Sequence, residues 1–119
     1  MRNIDCQQII ETISTLFQDA CICLPEDVLS AIRQAKDKEE SPVARELLDK
    51  ILENSEIASA EQIPLCQDTG IGVVLLELGQ EVHITGGDLY ASVNEGVRRG
   101  YNDGYLRRSM VAQPFSARV

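Results

Sequence analysis

The sequence predicts an α+β fold, with helices first, then a β-hairpin and one long helix. Three observations carry this. Apolar residues recur at helical spacing up to about residue 62. Seven of the eight glycines then lie between Gly70 and Gly100, and the last is Gly104, so the texture of the chain changes. Between residues 71 and 85, two stretches rich in β-branched residues flank Gly79-Gln80.

Each element follows from local chemistry. Ile9, Ile13, Leu16, Phe17 and Ala20 form one apolar stripe, which predicts a first helix from about Ile4 to Ala20 with Cys6 beside the stripe. A second helix is expected to start at Pro25, with Glu26 and Asp27 placed to favour its dipole and Val28, Leu29, Ile32 and Ala35 facing inward. Ser41 and Pro42 read as N-cap and first residue of a third, whose inner face is Ala44, Leu47, Leu48, Ile51 and Leu52. The three helices are expected to form a small antiparallel unit. Ile71 to Leu78 reads as a buried strand, Gly79-Gln80 as a two-residue turn, and Glu81 to Thr85 as a half-buried return strand. A last helix is expected from about Asp88 to Arg107 or Arg108, broken by Gln113-Pro114.

With 119 residues, the chain fits a single domain at the small end of the usual range. Hydrophobic content of 44% and charged content of 25% are those of a soluble globular protein. A net charge of −8 argues against nucleic acid and anionic membranes as partners. A site for an acidic substrate must then be a local positive spot made by particular arginines. No stretch approaches the roughly 18 apolar residues of a membrane span, and the N-terminus has no h-region, so a cytoplasmic location is expected. In that reducing compartment Cys6, Cys21, Cys23 and Cys66 are expected to be thiols, and their spacing matches no zinc knuckle.

Two constellations carry candidate chemistry. The first is Cys66-Gln67-Asp68-Thr69-Gly70, which puts a soft ligand, an amide, a carboxylate and a hydroxyl on one turn. Its spacing leaves two readings open: a site, or a polar turn with a small buried thiol. The second is the last helix, where Gly96, Gly100 and Gly104 each cost about 1 kcal/mol relative to alanine. At helical geometry they fall within about 80° of one another, and Arg107 lies about 20° from Gly96. Arg107 at the end of an inward face calls for an anion, or else snorkels to water. Arg98 and Arg99 point away from that face. His83 alternates with Val82 and Ile84 and is expected to face away from them. Tyr90, Tyr101 and Tyr105 read as helix-packing residues, and Cys6, Cys21 and Cys23 as small apolar residues between helices.

Pro64-Leu65-Cys66-Gln67-Asp68-Thr69-Gly70, followed by Gly-x-x-x-Gly-Tyr-x-x-Gly-Tyr-Leu-Arg-x-Ser from Gly96 to Ser109, resembles the class I iron–sulfur fumarate hydratases and L-tartrate dehydratase α subunits. The resemblance is sharpest from Pro64 to Arg107. It implies that Cys66 is one of three cysteine ligands of a [4Fe–4S] cluster, with two further cysteines required from outside this chain. It implies that Gln67, Asp68 and Arg107 bind substrate, and it leaves the catalytic base unidentified. The implied reaction is reversible hydration of a C4 dicarboxylate, fumarate to malate or L-tartrate to oxaloacetate. The implied partners are the remaining α region, a β subunit or domain, and further copies in an oligomer.

On this reading residues 1–119 are one partial domain of a larger iron–sulfur hydro-lyase α-type domain. Residues 1–62 form its helical N-terminal region and 63–119 carry the cluster and substrate motifs. The ending Ala117-Arg118-Val119, with no closing element, fits a truncated piece that is inactive alone. The alternative is a non-catalytic helical α+β remnant or subunit that only packs against a partner.

Overall fold

The computed structural model describes residues 1–66, 71–108, 110, 113 and 115. The class is α+β, in the order β1 (Arg2–Asp5), α1 (Cys6–Ile22), α2 (Glu26–Lys38), α3 (Pro42–Glu61), β2 (Val82–Thr85) and α4 (Leu89–Asp103). The chain divides into two compact units: Met1–Gln18 with Gln67–Val119, and Asp19–Cys66. No helix among the described residues is long and apolar enough to cross a membrane.

In the first unit, each of two strands runs almost directly into a helix. β1 and β2 pair in parallel, from Arg2 opposite Val82 to Asp5 opposite Thr85. The Arg2 N–H donates to the Glu81 carbonyl at 2.9 Å and the Thr85 hydroxyl to the Ile4 carbonyl at 3.4 Å. Gly86 follows β2 at φ +82°, and a Cβ there would lie 2.6 Å from Asp5 Oδ2. Asp88 then caps α4, its carboxylate accepting from the Ala91 N–H at 2.8 Å.

Glycines bring α4 close to α1. Gly96 and Gly100 are buried. A Cβ on Gly96 would stand 2.8 Å from Ile13 Cβ and 2.9 Å from the Ile10 carbonyl oxygen. One on Gly100 would stand 3.0 Å from the Ser14 carbonyl oxygen and 3.1 Å from Phe17 Cβ. Cys6 and Ile13 are buried in this unit, and Phe17 meets Tyr101 with ring centroids 6.0 Å apart. The propensity lost at these glycines is thus offset by backbone-close packing.

In the second unit α2 packs against α3. Ser41 caps α3 as the sequence predicts, with Pro42 in its first turn. Pro25 is the N-cap of α2 rather than its first helical residue. Ala58, Ile22 and Leu65 are buried, and Lys36 pairs with Asp49 at 2.5 Å.

Four further sequence expectations are corrected. The β-hairpin does not form: residues 71–79 carry no strand, and β2 takes β1 as its partner instead. The apolar run lacks a backbone ladder, and Ile71, Val73 and Leu75 are exposed. Its turn falls one residue later, closed by the Val82 N–H to the Gly79 carbonyl at 3.0 Å. Second, α1 starts at Cys6, because Arg2–Asp5 is a strand. Up to Gln18 it belongs with the α4 unit rather than with α2 and α3, drawn there by the glycine contacts. Third, α4 stops at Asp103, so Arg107 is not on its inward face. Fourth, Tyr90 and Tyr105 are exposed, and only Tyr101 packs as a helix residue.

The end of α4 has a specific cause. Tyr105 takes left-handed geometry at φ 53°, the Leu106 N–H donates to the Tyr101 carbonyl at 3.0 Å, and the Tyr105 N–H to the Asn102 carbonyl at 3.4 Å. This is a Schellman closure, with Leu106 buried beneath it. The left-handed site falls on Tyr105 while the neighbouring glycine, Gly104, is right-handed at φ −86°.

Three outcomes are expected. Gly96→Ala should lower stability by about 1–2 kcal/mol in urea unfolding, because overpacking outweighs the gain in helix propensity; a gain would contradict the close approach. Tyr105→Gly should raise stability by about 1 kcal/mol by relieving left-handed strain. Hydrogen bonds from Arg98 and Arg99 hold the Glu95 carboxyl down to about 2. That lowered value favours the fold above the ordinary carboxylate range, and the benefit is lost as pH falls toward about 2. Glu95→Gln should therefore flatten this part of the acid-unfolding profile, and added salt should do so in part.

Candidate functional site

The residues singled out by sequence fall in both units. Cys66 ends the second. It is reached from α3 through a closure like that of α4: Gln62 is left-handed at φ 55°, and the Ile63 N–H donates to the Ala58 carbonyl at 3.1 Å. Leu65 is buried and its N–H donates to the Cys21 carbonyl at 2.8 Å. The Cys66 N–H donates to Asn54 Oδ1 of α3 at 3.0 Å. The backbone on the N-terminal side of Cys66 is therefore held by two consecutive N–H groups, while the residue itself is exposed and its thiol free. This disposes of the small buried thiol as a reading of Cys66. Gln67 and Asp68 lie outside the described residues.

The other cysteines differ from it. Cys6 is buried, with its thiol 3.9 Å from the Asp88 carbonyl. Burial pushes the Cys21 thiol up, which disfavours the thiolate that binds metal. Cys23 is exposed beside Ser59, with Sγ 3.9 Å from Oγ. Among the described residues no group of three or more His, Cys, Asp and Glu is placed to hold a metal ion. His83 is exposed on β2, between two half-buried neighbours.

In the first unit Arg107 follows buried Leu106 and lines a cleft of about 520 Å³. Ile71, Val74, Val93 and Val97 supply apolar wall, while Asn94, Tyr101, Arg107 and Arg108 supply polar groups. That size and lining suit a small polar ligand. Among the described residues no carboxylate lines the cleft, and neither Arg107 nor Arg108 has an ion-pair partner. Arg98 and Arg99, by contrast, both pair with Glu95, at 2.6 and 2.7 Å, in accord with a solvated face. Arg107 thus reaches an anion-suited cleft by leaving the helix, not by riding on it.

Sequence reasoning passed over Asn54 and Asn94 and gave Arg108 no role of its own. The two asparagines carried a signal: each sits inside a helix, where its residue type is disfavoured unless its amide has work to do. Arg108 carried none, because its place in the cleft depends on where α4 ends.

Comparison with known proteins bears on the motifs. Residues 10–119 match the family model described as fumarate hydratase (Fumerase). A Methanocaldococcus jannaschii protein, provisionally named L(+)-tartrate dehydratase subunit alpha, is 36% identical over 105 residues, covering 87% of this chain and 37% of that protein. The aerobic class I fumarate hydratase of Escherichia coli K12 is 36% identical over 77 residues, 65% of this chain and 14% of that enzyme. The anaerobic class I enzyme of the same strain is 40% identical over 63 residues, 53% and 11% respectively. The chain therefore spans well under half the length of these relatives, and with a family match across nearly all of its residues it belongs to the fumarate hydratase family.

Proposed function

We propose that this chain is the N-terminal part of an iron–sulfur hydro-lyase that adds water to, or removes it from, a C4 dicarboxylate of the fumarate/malate or L-tartrate/oxaloacetate kind. The observation that carries the reading is the exposed Cys66 thiol on a backbone held by Asn54 and Cys21, inside the motif shared with the family. On this reading residues 1–119 are one partial domain, 1–62 its helical region and 63–119 its motif-bearing region. The remaining α region and a β subunit or domain are its partners, in an oligomer acting in the cytoplasm. The exposed apolar residues Ile71, Val73 and Leu75 give such a remainder a surface to cover.

The residues present fit one ligand position of a cluster. Cys66 is exposed and positioned, whereas Cys6 is buried and burial pushes the Cys21 thiol up. Two further cysteines come from outside this chain. When bound, a [4Fe–4S] cluster with three thiolate ligands supplies an open iron, a Lewis acid for a substrate hydroxyl. The chain's own residues bind and orient. Arg107 pairs with a substrate carboxylate, because its planar fork matches two carboxylate oxygens. That pairing also stabilises the charge that builds up when a proton leaves the neighbouring carbon. Gln67 and Asp68 contact substrate beside Cys66. The catalytic base belongs to the remainder.

The test is kinetic, on enzyme assembled from this chain and the remaining polypeptide. Arg107→Gln is expected to lower kcat/KM for fumarate or L-tartrate by about tenfold to a hundredfold, as the loss of a charged hydrogen-bonding partner does. Cys66→Ser is expected to abolish turnover. Full activity in Cys66→Ser would overturn the reading.

A further inference from the structure

The arginine that the motif singles out is not alone. Arg107 and Arg108 line the same cleft, yet they are consecutive in sequence. On a continued helix they would have pointed about 100° apart around the axis. The Tyr105 turn prevents that continuation, and buried Leu106 fixes the segment just before both side chains. A left-handed tyrosine is a costly way to end a helix that has Gly104 next door, so the local strain goes with the placement of Arg107 and Arg108.

Charge points the same way. In a chain of net charge −8, carboxylates are plentiful, and Arg33, Arg98 and Arg99 each find one, while Arg2 and Arg45 find none among the described residues. Arg107 and Arg108 likewise find none, and no acid is among the described residues that line their cleft. Two guanidiniums on one cleft give it a positive field, and an anion of two charges satisfies both. A monoanion engages one and leaves the other unengaged. The apolar wall of Ile71, Val74 and Val97 suits the short carbon chain between two carboxylates.

We propose that Arg108 is a second anion-binding residue of this cleft, so that it selects a small dicarboxylate, with one carboxylate on each guanidinium. The proposal rests on the reading of Arg107 given above and extends it to a residue that the motif leaves open.

The test is titration of the full chain with succinate and with butyrate, a dianion and a monoanion of the same chain length, monitored by amide chemical shifts at low salt. The wild type is expected to bind succinate more tightly. Arg108→Gln should weaken succinate by about tenfold while changing butyrate by no more than about twofold, so that the preference collapses. Arg108→Lys should restore part of it, because charge is kept while the fork is lost. A merely structural role would weaken both ligands alike. An unchanged succinate preference in Arg108→Gln, or no succinate binding by the wild type, overturns the proposal. Loss of succinate binding in Arg107→Gln alone would sink the role of Arg108 and leave that of Arg107 standing. Loss in Arg108→Gln alone would do the reverse.

Discussion

The approach of α4 to the middle turns of α1 is the constraint from which the first unit is built. It is a contact between backbones as much as side chains. Gly96 leaves no room for a Cβ against Ile13 and Ile10, and at Gly100 one would crowd Ser14 and Phe17. Such packing is rigid, because neither helix can shift without colliding with the other. It fixes the strands as well, since α1 follows β1 at once and α4 follows β2 after a short turn. Two parallel strands would be marginal alone, so their stability depends on the helices they feed.

A second device recurs at the ends of α3 and α4. Each helix closes with a non-glycine residue in left-handed geometry, Gln62 or Tyr105. Each then buries a leucine, Leu65 or Leu106, and directly presents a candidate functional residue, Cys66 or Arg107. The closure satisfies the orphan carbonyls, the leucine anchors the chain, and the next side chain is delivered from a fixed point. Precision at a site usually comes from such supporting residues rather than from the reactive group itself.

Much of this was legible in the sequence, and the gaps have physical causes. Helical periodicity and the Ser41-Pro42 start were strong local signals, and they located α2 and α3 closely. The run from Ile71 to Leu78 misled because β propensity says only that a segment suits a sheet, not which strand it will find. Val82–Thr85 paired with Arg2–Asp5, some 80 residues away, and no local rule encodes that choice. Arg107 was singled out through its motif, but its assignment to a helix face failed because a left-handed tyrosine is a poor guess from composition. Asn54, which holds the Cys66 backbone, was hidden by distance in sequence. For Gln67 and Asp68, the motif alone supports a role at the site.

In functional terms the chain offers one held, exposed thiol in one unit and an arginine cleft in the other, within a family match that spans nearly all of its length. The central claim is that Cys66 supplies one of three ligands whose other two lie elsewhere. Iron and sulfide per chain after anaerobic reconstitution measure this most directly, first on the chain alone and then with the remaining polypeptide added. The account predicts no stoichiometric cluster on the isolated chain and one per assembled enzyme, lost again in Cys66→Ser. Stoichiometric iron and sulfide on the isolated chain would show that it builds a complete site from its own residues, and would contradict the claim.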